Sequence, residues 1–173
     1  METSSTQNFT VRVQNKAPKP PGTFFVTFSP GQSGDFASRQ AADGLGNYLI
    51  YQIYDNLTNR NVLKDLTGSP TSSEVISGSY ITQNPPQTFN RSFSVVIPGN
   101  QAPAAGTYTD TLAMSLYQGT IGSYVFGETK TVPISFTVPS LTILKMSLVP
   151  DGSAFDELSL SLNLNFGTVF WGA

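Results

Sequence analysis

The chain of 173 residues contains no histidine and no cysteine, and only 12% of its residues are charged. Without histidine it lacks the side chain that most often performs general acid–base catalysis near neutral pH. Without cysteine it has no thiol nucleophile, no thiolate zinc site and no disulfide. Carboxylates remain, but no pattern places two of them face to face as an active site requires. We therefore expect a non-catalytic protein with no metal and no cofactor.

Basic clusters and long apolar runs are also missing. The nine Lys and Arg residues are scattered and the net charge is −2, so the sequence offers no basic surface for nucleic acid. No run approaches the roughly 18 apolar residues of a membrane span. The first seven residues, METSSTQ, lack the charged and apolar regions of a signal peptide. The chain is thus either a cytoplasmic protein or a secreted one numbered from its mature start, and the resemblance described below favours secretion.

Hydrophobic residues make up 39% of the chain, enough for a core. They alternate with polar residues in short segments bounded by Gly, Pro and Asn, which predicts β-strands. Several short strands at such intervals are typical of an antiparallel β-sandwich. We expect an all-β, immunoglobulin-like sandwich in residues 1–138, followed by C-terminal strands in residues 139–173. The predicted strands are residues 9–13, 23–28, 47–55, 91–97, 107–117, 129–138, 141–149 and 158–166.

Residues 158–166 (LSLSLNLNF) alternate without a fault, with one face apolar and the other formed by Ser and Asn. The register of such a strand is strongly specified, because a slip of one residue would bury the polar face. Two interpretations remain open: an ordinary strand of the sandwich, or a strand that completes another sheet by β-augmentation. The candidate strand-exchange residues are Leu158, Leu160, Leu162, Leu164 and Phe166.

Large apolar side chains also lie in residues 121–127, where three of them stand between glycines, and in residues 80–89, a second loop-like region rich in Gly, Asn and Pro. If these side chains project into water, they form an apolar contact patch of the kind that marks interaction sites. The alternative is that they belong to strands and pack in the core, since residues 121–127 are long enough for part of a strand. The candidate adhesive residues are Ile121, Tyr124, Val125, Phe126, Tyr80, Ile81 and Phe89.

Two ordered pairs of motifs resemble the spore coat protein U family. The first is an Arg after a Gly-rich turn, GDFASRQ at residues 34–40, followed by LIYQIYD at residues 49–55. The second is FSVVIPGNQ at residues 93–101, followed by GTYTDTL at residues 106–112. The resemblance covers residues 24–117, about half of the chain. The family includes subunits and tip adhesins of archaic chaperone–usher pili in Gram-negative bacteria.

This resemblance implies a pilus subunit of the tip-adhesin kind, secreted through the periplasm to the cell surface. Its implied partners are other pilus subunits, a periplasmic chaperone, and an abiotic or host surface. The implied function is surface attachment and biofilm formation through strand exchange and exposed apolar loops, because family subunits are incomplete sandwiches completed by a neighbour's strand. Residues 139–173 would then either complete the same sandwich, as a C-terminal strand, or begin a second pilin-like domain.

The sequence departs from the family pattern at two places. Family members carry cysteines early in the domain, and this chain has none. They also carry an LxFG strand near the N-terminus, whereas the matching residues here are 164–167, near the C-terminus. A carbohydrate-binding sandwich, with aromatic side chains aligned on one exposed face, and a self-assembling coat or virion protein remain alternatives.

One carboxylate within the second motif pair is predicted to be structural. Asp110 faces the same side of its strand as Tyr108 and Leu112. We expect it to bond to backbone groups or to Arg39 at the end of a strand. The pair Asp43-Gly44 has the chemistry of a tight turn and is not expected to bind a metal.

Overall fold

The computed structural model describes residues 4–15, 21–81 and 87–140. They belong to one compact unit that ends at Ser140. The predicted strands at residues 141–149 and 158–166 lie outside the described residues. The same holds for the five strand-exchange candidates, Leu158, Leu160, Leu162, Leu164 and Phe166.

Over the described ranges, regular structure consists of eight strands and two single turns of 3₁₀ helix, at Gly31–Ser33 and Leu66–Gly68. The strands are β1 (Ser5–Asn15), β2 (Gly22–Phe28), β3 (Arg39–Ala42), β4 (Tyr48–Tyr54), β5 (Ile76–Tyr80), β6 (Gln87–Ile97), β7 (Gly106–Thr120) and β8 (Ser123–Val138).

All strand pairs are antiparallel, and they form one continuous sheet in the order β1-β6-β4-β3-β7-β2-β5, with β8 also paired to β7. Strand β8 follows one edge of β7 along its whole length. On the other edge β3 pairs at Thr109 and β2 pairs from Met114 to Gln118. The sheet folds over at β3 into two layers, β1-β6-β4 and β8-β7-β2-β5. The predicted all-β antiparallel sandwich is confirmed.

The core lies between the two layers and is rich in aromatic rings. Phe28 of β2 contacts Phe93 of β6 with ring centroids 5.0 Å apart, and Phe24 contacts Phe89 at 5.3 Å. These side chains occupy alternate strand positions, as the period-two pattern requires. Burying each large apolar side chain stabilises the fold by about 1.5–3 kcal/mol. The layers are therefore held together by the alternation visible in the sequence.

Two short strands, β3 and β5, were not among the predicted ones. Strand β3 (RQAA) begins with two polar residues, so its sequence does not show apolar alternation. Strand β5 (ISGSY) contains Gly78, where a Cβ would lie 2.5 Å from the ring of Phe24. The glycine thus makes room for a core side chain. When only the sequence is considered, the same glycine indicates a loop.

The two ends of the sandwich differ in what they carry. At one end, which we call the hairpin end, Ile121 and Gly122 form the turn between β7 and β8, and β2 and β5 meet at Gly22 and Tyr80. At the other end β8 finishes at Val138, and the chain continues beyond it. We call this the chain-exit end, and the turn between β3 and β4 also lies there.

Candidate assembly groove and aromatic patch

A long groove separates the two outermost strands, β1 and β8. In the described part of the chain, β1 pairs only with β6 and β8 pairs only with β7. Between these two unpaired edges lie three adjoining cavities of about 400, 510 and 150 Å³, each lined by both strands. We call this opening the β1–β8 groove. Unpaired strand edges present free N–H and C=O groups that are ready to pair with another chain.

The groove runs the full length of β1. Residues 5–9 of β1 line its first section together with residues 132–136 of β8, at the chain-exit end. Residues 13–15 and Gly127 line its last section, at the hairpin end. The two strands therefore run in opposite directions along it. At about 3.3 Å per residue, the 11 residues of β1 correspond to a groove about 33 Å long.

The first section of the groove opens directly onto the core. Its lining includes Phe28, Ile53 and Leu112, which belong to the buried core. The inward side chains of β8 at this end are apolar but only half-buried: Val132, Ile134, Phe136 and Val138. On the opposite side Phe9 of β1 is also exposed. An added strand would cover apolar surface that the described strands leave open.

The middle section of the groove is charged. Glu128 and Lys130 pair in register with Leu116 and Met114, so their side chains lie on the inward face of β8. They form an ion pair at 3.0 Å, with 56% of the Glu128 side chain and 63% of the Lys130 side chain exposed. Inward-pointing charges on an edge strand discourage indiscriminate pairing with other edges.

An aromatic patch lies on the outer face of the layer β8-β7-β2-β5, at the hairpin end. Phe25 stacks on Tyr117 with ring centroids 4.9 Å apart. Tyr124 and Phe126 of β8 meet the Tyr117 ring edge-on at 5.2 and 5.8 Å. Tyr124 is 46% exposed and Phe126 is 57% exposed. We call these four residues the aromatic patch.

A β-bulge aims Phe126 at this face. The register of the β7–β8 pairing shifts between Leu116 and Tyr117, so Glu128 pairs with Leu116 while Phe126 pairs with Tyr117. Gly127 is the extra residue, and a Cβ there would lie 3.0 Å from the Leu116 carbonyl oxygen. Because side chains alternate with a period of two, one inserted residue moves Phe126 to the face opposite Glu128.

The predicted adhesive residues separate into exposed and buried groups. Val125 and Ile81 are exposed, and Ile121 is half-buried in the turn. Tyr80 is only 7% exposed in β5, and Phe89 is half-buried in β6 against Phe24. Tyr80 and Phe89 are therefore core residues and do not contribute to an exposed patch, because strand alternation turns them inward. The segment 121–127 is the turn and the start of β8.

Five exposed apolar side chains were missed by the sequence analysis: Phe9, Leu45, Tyr48, Ile50 and Leu57. Leu45, Tyr48 and Ile50 lie at or near the β3–β4 turn, at the chain-exit end. Residues 47–55 are apolar on both faces, and this hid the outward orientation of Tyr48 and Ile50. Which face of β4 points outward depends on the strands that pack against it, and these cannot be recognised from the sequence of β4 alone.

The Arg of the first motif is a structural residue of the core. Arg39 is fully buried and donates to the carbonyl oxygens of Ser29 at 3.1 Å and Leu63 at 2.6 Å, and to Oε1 of Gln52. The ring of Phe36 lies 5.3 Å from its guanidinium. Burial lowers the pKa of Arg39 to about 10. Every contact holds backbone or neighbouring side chains in place, and no group is left free for chemistry.

Asp110 has the structural role that its position predicts. It accepts from the backbone N–H groups of Gln32 at 2.9 Å and Thr111 at 2.7 Å, and from the hydroxyl of Tyr51 at 2.5 Å. The predicted backbone bonds are confirmed, while the side chain that bonds Asp110 is Tyr51 and not Arg39. Burial, followed by the bond to Asp110, raises the pKa of Tyr51 well above its usual range.

Two further motif residues anchor loops. The side chain of Gln101 donates to the carbonyl oxygen of Ile50 at 2.9 Å and accepts from its N–H at 2.7 Å, which occupies the edge of β4. The hydroxyl of Tyr108 donates to the carbonyl oxygen of Ala104 at 2.8 Å. Both motif pairs therefore specify how loops are fixed to the sandwich.

Among the residues that the structure describes, no group of three or more His, Cys, Asp or Glu residues has an arrangement that could hold a metal ion. No helix in those residues is long and apolar enough to cross a membrane.

A family model for the Spore Coat Protein U domain matches residues 2–115. The chain belongs to this family. The match includes β1 to β6 and ends within β7, so β8, which carries one wall of the groove and part of the aromatic patch, lies beyond it. The two motif pairs, at residues 34–55 and 93–112, both fall inside the matched residues.

Two solved structures are similar to the chain at low sequence identity. The SafD adhesin of Salmonella is 13% identical, with 80% of this chain and 100% of that chain covered and a TM-score of 0.42. AggB, the minor subunit of aggregative adherence fimbriae type I from Escherichia coli, is 15% identical, with coverages of 76% and 99% and a TM-score of 0.39. Among curated proteins, no sequence matches the chain.

Proposed function

We propose that the chain is a chaperone–usher pilus subunit, placed at the pilus tip, that assembles by exchange of β-strands. The observation that carries this proposal is the β1–β8 groove, in which two strand edges without a partner in the described part of the chain flank an opening onto the core. A strand laid in the groove would form backbone hydrogen bonds with the edges and bury alternate side chains against the core. Membership of a family that includes such subunits supports the proposal.

The proposal assigns a partner to the groove before assembly and another after it. A periplasmic chaperone would protect the open groove before assembly, and another subunit would occupy it on the cell surface. The donated strand would be residues 158–166, whose apolar face is formed by Leu158, Leu160, Leu162, Leu164 and Phe166. Their strict alternation suits a strand whose register must be specified in a foreign sheet.

The same proposal places surface attachment and biofilm formation at the hairpin end. The exposed side chains there are Tyr124, Val125, Phe126 and Ile81. This end is opposite the one from which the chain continues beyond Val138. An apolar patch directed away from the chain exit is suited to contact an abiotic or host surface.

Strand exchange is tested by placing a charge in the groove. We expect Ile134→Lys to prevent incorporation into pili, because a buried lysine would face the incoming strand. Thr137→Lys is the matched control, since Thr137 is exposed on the opposite face of β8 and does not line the groove. Pili from cells expressing each full-length variant are quantified by immunoblot. Normal incorporation of a folded Ile134→Lys protein would overturn the proposal.

Surface attachment is tested by removing the exposed aromatic side chains. We expect Tyr124→Ser with Phe126→Ser to reduce attachment to polystyrene or to host cells while pili still form. The control is Leu45→Ser with Tyr48→Ser, which removes exposed apolar surface at the chain-exit end. Equal attachment by both double variants would show that the aromatic patch is not the adhesive surface.

A carbohydrate-binding function is the second candidate, and the aromatic patch favours it. Tyr117, Tyr124 and Phe126 share one outer face, and both Tyr124 and Phe126 have exposed rings. Aromatic rings on one exposed face are the feature expected of a sugar-binding sandwich. Titration with soluble glycans distinguishes the candidates: saturable binding that is lost with Tyr124→Ser would favour the sugar, and attachment without glycan binding would favour the surface.

A further inference from the structure

Two strands outside the β1–β8 groove have stretches of edge that no neighbouring strand covers in the described part of the chain. Strand β4 begins at Tyr48, but its pairing with β6 begins only at Gln52. Strand β5 stands at one end of the sheet, and its described pairing is with β2. Backbone groups on such edges are ready to pair with another chain, so each edge is a further place where a strand could be added.

The side chain of Gln101 takes the place of a strand beside β4. Its Nε2 donates to the carbonyl oxygen of Ile50 at 2.9 Å, and its Oε1 accepts from the N–H of Ile50 at 2.7 Å. A side-chain amide offers the same donor and acceptor as a peptide group. If the register of β4 and β6 continued, Pro98 would stand opposite Ile50, and Pro98 has no N–H to donate. Gln101 therefore supplies both bonds where β6 can no longer do so.

The edge that Gln101 covers is an apolar one. Tyr48 is 57% exposed and Ile50 is 38% exposed on the outer face of β4. Exposed apolar side chains beside free backbone groups are the features that let strand edges of different chains associate. Gln101 removes the backbone part of this combination, because both backbone groups of Ile50 are already bonded.

Arg91 has the corresponding position beside β5. Although it belongs to β6, in the other layer, its Nε donates to the carbonyl oxygen of Ser77 at 3.2 Å. Ser77 stands opposite Phe25, and the backbone of Phe25 is directed toward β7, as that of Ser29 is toward Ala113. The backbone groups of Ser77 therefore point away from β2, toward the outer edge of the sheet. Arg91 thus occupies an acceptor on the outer edge of β5.

Neither side chain belongs to the core. Arg91 is exposed and Gln101 is half-buried. An exposed hydrogen bond contributes little to stability, because water takes its place when the bond is lost. Water does not keep a second strand from pairing with a backbone group, whereas an intramolecular bond does. Both side chains therefore matter more for association with other chains than for the stability of the fold.

We propose that Gln101 and Arg91 determine where the chain accepts a strand: they occupy backbone groups of β4 and β5, prevent pairing at these two edges, and so restrict pairing to the β1–β8 groove. This rests on the proposed strand exchange. A subunit with several open edges would associate with other chains in several arrangements, whereas ordered assembly requires a single one.

The test measures self-association of the full-length chain by sedimentation velocity. Every chain compared carries Ile134→Lys, so that pairing in the groove does not contribute. We expect Gln101→Leu to self-associate about tenfold more tightly, because the freed N–H and C=O of Ile50 gain hydrogen bonds to a second copy. Adding Ile50→Lys should restore the monomer, since like charges on two paired edges repel each other.

Arg91→Met tests the second edge. It should also increase self-association, and adding Ser79→Lys, at an exposed position of β5, should reverse the increase. Arg12→Met is the matched control, because the exposed Arg12 of β1 bonds the side chain of Asn90 at 3.3 Å and not a strand edge. Its self-association should stay unchanged. Since Arg91 is exposed, this arm keeps the test decisive if Gln101→Leu does not fold.

Hydrogen exchange on the same samples locates the contact. Exchange at the amide of Ile50 in Gln101→Leu, and at that of Ser77 in Arg91→Met, should slow as the protein concentration rises. Folded variants that stay monomeric would overturn the inference. Self-association that the added lysines do not reverse would overturn it as well, because a general loss of structure does not respond to a charge at one edge. Normal incorporation of the Ile134→Lys protein into pili is a separate result that overturns the proposed function.

Discussion

The two long sides of the sandwich are built differently. On the closed side, β3 links the layers, and the buried Arg39 and Asp110 are fully provided with hydrogen-bond partners. On the open side, β1 and β8 have no second partner strand among the described residues, and apolar side chains there are half-exposed. The contrast indicates that the closed side carries the stability of the fold, and it is the reason for proposing that the open side receives a partner's strand.

Replacing Arg39 is expected to lower the free energy of unfolding more than any other substitution considered. Replacing it by Met leaves the carbonyl oxygens of Ser29 and Leu63 without a donor, and leaves Oε1 of Gln52 with the N–H of Ile53 as its one donor, so we expect the free energy of unfolding to fall by about 3–5 kcal/mol. Arg91→Met is the control, because Arg91 is exposed in β6 and should change stability by less than about 0.5 kcal/mol. Urea unfolding of both variants measures the difference. Similar losses for the two would contradict the structural role of Arg39.

Truncating one aliphatic side chain on each side compares the sides directly. Leu63, whose carbonyl oxygen accepts from Arg39 on the closed side, is fully buried, so Leu63→Ala should destabilise the chain by about 3 kcal/mol through lost burial and a residual cavity. Ile134 faces the open groove and is half-buried, so Ile134→Ala should cost less than about 1.5 kcal/mol. Urea unfolding measures both. An equal loss would mean that the groove is already filled in the isolated chain.

The smallest effect concerns a surface ion pair beside the closed side. Glu74 bonds Lys64 and the N–H of Thr71, and these bonds lower the pKa of its carboxyl below the usual value. The native state therefore favours the ionised form, and its contribution is present above about pH 4 and is lost as the pH falls through the native pKa. Glu74→Gln should flatten the decline in stability below pH 4 by less than about 1 kcal/mol. An unchanged pH profile would mean that Glu74 contributes nothing to acid sensitivity.

Sequence periodicity was sufficient to find most of the strands. Residues 23–28 and 107–117 alternate regularly, and they form most of β2 and β7. It failed for β3, because a buried arginine looks like a surface residue until its partners are known. The bonds of Asp110 to backbone were also predictable, since its motif placed it on the face shared with Tyr108.

The site was less predictable because it depends on register. Apolar residues near 121–127 were identified, but only the bulge at Gly127 determines that Phe126 faces outward and Glu128 inward. The groove itself has no local signal, since which edges stay unpaired is decided by contacts between strands far apart in sequence. For the same reason Tyr80 was expected in a loop although it is a core residue.

Hydrogen exchange tests the central claim most directly, that the β1–β8 groove is open in the isolated chain and closed by a partner's strand. The full-length chain is compared with the same chain incorporated into pili, and exchange is followed at the backbone amides of β1 and β8. We predict rapid exchange of the edge-directed amides in the isolated chain and strong protection in the pilus, with β7 protected in both. Protection of these edge amides in the isolated chain, or rapid exchange in the pilus, would contradict the account.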